Sequence, residues 1–178
     1  DEIRGRIAIM LAGRSAEEVV FGKVSTGASD DIQKATDLAE RCVTLYGMSD
    51  RLGPIAFEKP QQQYIPSLSS PRRSVGPQVT AAIDEEVKRI VEDAHTIAQH
   101  ILQENRDVLK ETAQSLLEAE VLDGDNLTEK LSQVKAPEHF QTWLKTGTLP
   151  EALQPESSLN NHHENGQEVS PVNHSKLN

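Results

Sequence analysis

Histidines and carboxylates are the side chains of this sequence best suited to chemistry, because they bind metal ions and transfer protons. Two of the histidines, His95 and His100, are five residues apart and so point about 140° apart around a helix axis. They cannot chelate one ion as two histidines one turn apart do, and the sequence has no HExxH motif. The histidines are His95, His100, His139, His162, His163 and His174. We expect no complete catalytic metal site from them, and we expect the last three to be solvated.

Other catalytic patterns are missing from the sequence. Neither GxxxxGKS/T nor GxGxxG occurs, so no nucleotide site is predicted. The single cysteine, Cys42, falls in an apolar stripe and is expected to be a small buried hydrophobe. Two pairs of adjacent carboxylates are expected on solvated helix surfaces; they are Glu17 with Glu18 and Glu85 with Glu86. We assign no catalytic residue within this chain.

One carboxylate, Asp31, is placed differently. It opens a predicted helix and lies four residues before Ala35 and eight before Ala39, so it projects from the face that carries the apolar stripe. A carboxylate directed inward needs a hydrogen-bond partner, a cation or a metal. Ser29 or Asp30 would serve as N-cap, and acidic residues suit a helix start. A cap or ion pair and a metal-ligand role both remain open for Asp31.

The elements that position these residues are predicted to be helices, because apolar residues recur at helical spacing. The predicted helices span about residues 3–22, 30–47, 78–102, 108–120 and 127–131. The predicted fold class is mainly α, a helical bundle of about four to five helices. We expect a short β or turn segment before Asp31 and a disordered C-terminal tail.

Composition limits the classes of function. The sequence has 18 Lys and Arg against 28 Asp and Glu, a net charge of −10, which excludes a surface built to neutralise nucleic-acid phosphates. We also expect neither a membrane span nor a signal peptide in it, because it has no run of 18 apolar residues and a charged start. Residues 60–77 are rich in Pro, Gln and Ser and predict a loop, and the Asn- and Ser-rich end from Pro155 predicts disorder.

Several blocks of sequence occur in a recognisable order. Residues 25–32 read STGASDDI and residues 46–57 read YGMSDRLGPIAF, with further blocks AGRSAEEVVFG at 12–22 and IDEEV at 83–87. Together they resemble the protease domain of the FtsH family of membrane-bound, ATP-dependent zinc metalloproteases. The resemblance covers about residues 1–133. The residues around Arg72 and Trp143 are similar, more weakly, to the cyanobacterial branch.

The resemblance implies a role for Asp31. In that family two histidines of an HExxH helix and a downstream aspartate hold zinc, and the matching aspartate is Asp31. The general base is the glutamate of HExxH, which in relatives lies upstream together with an ATPase module and a transmembrane segment. The chain has none of these and no initiating Met, so we expect it to be truncated. We expect that it alone neither binds zinc tightly nor cleaves peptides.

The resemblance also implies partners for an intact parent. They are ATP with Mg²⁺ in the missing upstream module, polypeptide substrates, and a homo- or hetero-hexamer of subunits. The membrane would be reached through the missing N-terminal segment, with the protease domain on its cytoplasmic or stromal side. That membrane would be the thylakoid or plasma membrane in a photosynthetic source. No nucleic acid is expected.

The predicted organisation has three parts. Residues 1–133 would belong to the peptidase domain, 134–154 would form a connector, and 155–178 would be the disordered tail. Within the connector, Trp143 and Leu144 could dock on the bundle, or Trp143 could be a lone exposed aromatic. The alternative is a non-catalytic helical oligomerisation module or an inactive FtsH paralogue, because the sequence holds a bundle and no complete active site.

Overall fold

The computed structural model describes residues 1–57 and 75–154. Most of the loop predicted at 60–77, with Arg72, lies outside the described residues, and so does the tail predicted to be disordered at 155–178, with His162, His163 and His174. Within the described ranges the chain forms helices and no strand beyond an isolated bridge between Ser49 and Gly53. The α-helices are α1 (Glu2–Phe21), α2 (Ser29–Thr44), α3 (Pro77–Glu104), α4 (Arg106–Ala119), α5 (Gly124–Ser132) and α6 (Glu138–Thr146). The mainly α prediction is confirmed.

The core is formed where α1, α2 and α3 pack against one another. The apolar stripe predicted for the second helix is buried from Ala35 to Val43. Alanines on this stripe let the helix axes approach closely, since interaxial distance follows the size of the contacting side chains. The core residues of these helices are Ile7, Leu11, Ala35, Ala39, Cys42, Val43, Ile83, Ala94, Ile97 and Ala98, together with Ala8.

The ends of α1 and α2 differ from each other in how well the sequence predicts them. α1 ends, as expected, at Gly22, which adopts a left-handed conformation with φ of 67°. α2 begins after Ala28, and neither Ser29 nor Asp30 caps it through a side chain. The expectation of a side-chain cap there was wrong, because a 3-10 turn (Thr26–Ala28) runs directly into the helix. The β or turn segment predicted before Asp31 is this turn.

The C-terminal end of α2 lies three residues before the glycine expected to stop it. The helix ends at Thr44, and the chain then turns through Gly47, which has φ of 60°. A Cβ at Gly47 would lie 3.0 Å from the backbone nitrogen of Ile55. Glycine is therefore required here both by backbone conformation and by the close approach of the following loop.

α6 occupies the segment that the sequence predicts as a connector. Trp143 is only 2% exposed, and the Arg4 guanidinium donates to the Leu144 carbonyl at 2.7 Å. Gly147 ends the helix with φ of 71°, and a Cβ there would collide with Arg4. The sequence predicts this segment only as a connector, because nine residues show no clear apolar period; the local signals for the helix are Pro137 before it and Gly147 after it.

α4 and α5 contribute no residue to the core. Leu117 on α4 is 79% exposed. The junction before α4 is nevertheless fixed, because the buried Asn105 side chain donates to the Lys135 carbonyl at 2.9 Å and accepts from the Lys135 N–H at 2.7 Å. Asn105 thus follows the last residue of α3 and ties the chain after α5 to it. None of the described helices combines the length and the apolar character needed to cross a bilayer.

Candidate metal centre

Asp31 lies in the first turn of α2 and is exposed to solvent. Ala35 and Ala39, one and two turns further along the same face, are fully buried. The predicted face is therefore buried at Ala35 and Ala39. Asp31 lies in line with them but is not itself buried. The first turn of α2 is exposed from Ser29 to Asp31, and burial of this face begins at Ala35.

The two adjacent carboxylates at this helix start have different partners. Asp30 forms an ion pair with Lys34, with 2.6 Å between Oδ2 and Nζ. The hydrogen bond that Lys34 donates to this carboxylate, and then the charge of the carboxylate, raise the pKa of Lys34. Asp31 makes no hydrogen bond or ion pair with any residue in the described ranges. Of the roles left open by the sequence, the ion pair belongs to Asp30, and Asp31 remains available to a ligand.

The turn before α2 is held by Glu17 of α1. The Glu17 carboxylate accepts from the backbone N–H and from the hydroxyl of Ser25, both at 2.7 Å. These two hydrogen bonds, that of the N–H first, lower the pKa of Glu17. The Ser25 hydroxyl oxygen also accepts from the Gly27 N–H at 3.2 Å. Glu17 was expected to be merely solvated; it instead fixes the path of the chain into the helix that carries Asp31.

The other carboxylate pair also departs from the expected solvated face. Glu86 is 4% exposed and receives two hydrogen bonds from Arg89, at 2.9 and 3.1 Å. Arg89 in turn binds Asp93 at 2.8 Å. The Arg89 hydrogen bonds lower the pKa of Glu86, whereas burial raises the pKa of Asp93. Of this pair, Glu85 alone is exposed as expected, and it forms an ion pair with Arg51.

A serine, a histidine and a glutamate meet where α1 packs against α3. The Ser15 hydroxyl is 2.9 Å from Nδ1 of His95, and Nε2 of His95 is 3.3 Å from the Glu18 carboxylate. The sequence could not reveal this arrangement, because the residues are 80 positions apart. Ser15 is fully buried and donates to the Leu11 carbonyl. No substrate can reach its hydroxyl, so the trio joins two helices and is not a nucleophilic site.

Within the described ranges, the one group of three or more side chains able to hold a metal is His100, Glu104 and His139. Asp31 does not belong to it. The spacing of His95 and His100 predicts that they point in different directions. In the structure His95 contacts Ser15, and His100 belongs to the group with Glu104 and His139. No sequence signal brings His139 to His100, because the contact joins α3 to a helix that was not predicted.

Comparison with known proteins shows which family the chain resembles. The family model described as Peptidase family M41 matches residues 1–130. The chain is 59% identical over 162 residues to "ATP-dependent zinc metalloprotease FtsH" of Acaryochloris marina, covering 90% of this chain and 25% of that protein. It is 49% identical over 138 residues to "ATP-dependent zinc metalloprotease FtsH 4" of Synechocystis sp., covering 76% of this chain and 22% of that protein.

A more distant relative is "ATP-dependent zinc metalloprotease FtsH" of Bacillus subtilis. It is 40% identical over 139 residues, which cover 77% of this chain and 22% of the relative. The chain thus spans about a quarter or less of the length of these proteins.

Proposed function

Since the chain belongs to peptidase family M41, we propose that it forms part of the proteolytic domain of a zinc metalloendopeptidase, with Asp31 as one zinc ligand. Two histidine ligands and the glutamate general base would come from an HExxH segment upstream of Asp1. The 178-residue chain alone would then lack two of three protein ligands and would be inactive.

The observation that carries the proposal is the unequal use of two neighbouring carboxylates. Asp30 forms an ion pair with Lys34, whereas Asp31 makes no hydrogen bond or ion pair with a described residue and is exposed to solvent. A carboxylate without a partner can approach a cation without first losing a hydrogen bond. One such carboxylate fits a zinc ion as a single ligand, and the remaining ligands must be supplied by residues outside the described ranges.

The chemistry requires little of this chain beyond a fixed oxygen ligand. Zinc held by two imidazoles and one carboxylate keeps a position for water, lowers the pKa of that water and polarises a carbonyl. Ala35 and Ala39 seat α2 in the core, and the Glu17 contacts with Ser25 fix the preceding turn. Asp31 is therefore carried by a rigid element, as precise ligand placement requires.

For the whole protein we infer an ATP-dependent enzyme that degrades misfolded or damaged membrane and soluble polypeptides. ATP and Mg²⁺ would bind an upstream module, and subunits would assemble as a homo- or hetero-hexamer. A membrane anchor upstream would hold the peptidase domain on the cytoplasmic or stromal side of a plasma or thylakoid membrane. The name of the relatives, ATP-dependent zinc metalloprotease, supports the ATP-dependent, zinc and protease parts of this inference. The hexamer, the membrane anchor and the substrates are what the family resemblance implies.

The test is made in the polypeptide extended upstream to include HExxH. Asp31→Ala should lower the rate of casein cleavage by more than about 100-fold, the upper end of what loss of a residue supporting a metal ligand costs. Asp30→Ala is the matched control, because it removes the neighbouring carboxylate and its exposed ion pair. Equal activity in the two variants would remove Asp31 from the site.

The second candidate is a non-catalytic helical oligomerisation module or an inactive member of the family. It is favoured by the apolar side chains that α4 exposes, Leu116 and Leu117 above all. The coding sequence upstream of Asp1 distinguishes the two candidates. HExxH there supports the peptidase, and other residues in its place support the non-catalytic module.

A further inference from the structure

His100, Glu104 and His139 form a compact cluster where α3 meets α6. His100 and Glu104 are one turn apart on α3, with 3.5 Å between Nε2 and Oε1. His139 lies in the first turn of α6, and its ring stacks on that of His100 with centroids 4.9 Å apart and planes at 19°. One ligand atom from each residue lies within 4.8 Å of the other two.

One atom of the cluster lacks a partner. Nε2 of His139 is buried and makes no hydrogen bond, although buried side-chain polar atoms are nearly always bonded. Among the described side chains it is the one atom of this kind. The structure therefore places an imidazole with an unsatisfied nitrogen beside a second imidazole and a carboxylate, and all three side chains can donate electron pairs to a metal ion.

We propose that His100, Glu104 and His139 bind a divalent transition-metal ion that links α3 to α6. Two imidazoles and a carboxylate suit zinc and the neighbouring ions that prefer nitrogen ligands. With metal–ligand distances of about 2.0–2.2 Å, tetrahedral ligand atoms are about 3.3–3.6 Å apart. The ligand atoms would have to close by roughly 1 Å. The two rings, which stack with planes at 19°, would also have to turn until their in-plane lone pairs meet at one ion, and water completes the coordination.

The proposed ion would act on structure, not on catalysis. The cluster contains no residue of the sequence blocks that resemble the peptidase family, and His139 lies beyond residue 130, where the family match ends. The carboxylate and imidazole of α3 are already neighbours on one helix, so the ion would add a bond across to α6. An ion that binds only the folded chain raises its stability, since binding and folding are coupled.

The test is a Zn²⁺ titration of the 178-residue chain against a chromophoric chelator, with Co²⁺ absorption as a second readout of ligand geometry. We expect one equivalent of ion and a higher thermal midpoint in its presence. His139→Gln and Glu104→Gln should each weaken binding by more than about 10-fold and remove the thermal shift. Circular dichroism checks that both variants fold, and Glu104, being exposed, is the substitution less prone to disturb packing.

Two controls separate this site from other ligands. His162→Gln combined with His163→Gln should leave binding unchanged, as should Asp31→Ala. Retained one-to-one binding in both cluster variants, or its loss in the His162 and His163 variant, overturns the proposal. Because the readout is zinc on the chain without HExxH, its failure is independent of the role proposed for Asp31.

Discussion

The first turn of α2 and the contact of α3 with α6 both present side chains that bind metals, but the two regions are built differently. Asp31 is an exposed single ligand on a helix whose next two turns bury Ala35 and Ala39. His100, Glu104 and His139 come together from two helices of this chain. The first region has a rigid support and a single ligand, and the second has three ligands on a junction between elements. A single metal ligand on a rigid helix, such as Asp31 on α2, thus indicates where the remaining ligands of the ion must approach.

The largest effect should come from removing the anchor of α6. Trp143→Ala deletes a side chain that is 2% exposed and should lower the free energy of unfolding by about 3–5 kcal/mol. It should also remove zinc binding at the His100 cluster, whereas cleavage by the extended polypeptide should fall only as far as the loss of stability requires. Urea unfolding and zinc titration measure the two effects.

Trp143→Phe is the control for this comparison, because it keeps an aromatic ring in the same place. If Trp143→Ala loses no more stability than Trp143→Phe, α6 is not held by this side chain.

The next effect concerns the support of Asp31. Ala35→Leu adds three carbons at a fully buried position of α2. It should lower the free energy of unfolding by about 1–3 kcal/mol through overpacking. Thr36→Leu, on an exposed position of the same helix, should change the unfolding free energy by less than about 0.5 kcal/mol. Denaturant unfolding of the two variants makes the comparison, and equal costs would show that the first turns of α2 are not seated in the core.

A pH-dependent effect is expected on the α6 side of the molecule, where Arg89 joins Glu86 to Asp93 and to the Gly147 carbonyl. The folded-state pKa of Glu86 is lowered, so its contribution is present above the ordinary carboxyl pKa and is lost as pH falls through the folded pKa. The raised pKa of Asp93 favours the folded state as pH falls. It therefore reduces the net dependence of the unfolding free energy on pH.

Without the Glu86 carboxylate, the free energy of unfolding should fall less steeply as pH is lowered from neutral to below the ordinary carboxyl pKa. We expect this of Glu86→Gln. Glu85→Gln is the matched control, since Glu85 is exposed and its pair with Arg51 is open to solvent. Thermal unfolding over this pH range measures the slopes. Parallel slopes in wild type and Glu86→Gln would contradict the role of the Arg89 bonds.

The smallest effect on stability is expected at the turn before Asp31. Glu17→Gln weakens the two bonds to Ser25 but leaves the core intact, so the unfolding midpoint should change little. In the extended polypeptide, zinc affinity should nevertheless fall by about 10-fold, as for loss of a residue that orients a ligand. Asp37→Asn, on an exposed position of α2, should change neither quantity. A Glu17→Gln variant with unchanged zinc affinity would show that the turn needs no such support.

The features that the sequence predicted well are local. Apolar residues at helical spacing identify the stripe that Ala35 and Ala39 bury, because a 3.6-residue period is a property of the helix itself. The same spacing singled out Asp31. It could not show that Asp31 is exposed, since that depends on where neighbouring helices end.

The features that were missed depend on distant contacts or on short signals. The meeting of His139 with His100 joins residues 39 positions apart, and nothing in their local sequence records it. α6 has only nine residues, too few for a clear apolar period. Burial of Glu86 had a local signal, because Arg89 lies one turn away and can satisfy the carboxylate.

We propose that Asp31, and not its neighbour Asp30, holds zinc in the whole peptidase. The most direct measurement is the zinc content per chain of the purified extended polypeptide carrying Asp31→Ala or Asp30→Ala, in a background with His139→Gln so that the His100 cluster does not contribute. We expect about one zinc per chain for Asp30→Ala, as in a catalytic site with one ion, and strongly reduced zinc for Asp31→Ala. Full zinc content in the Asp31→Ala polypeptide would contradict it.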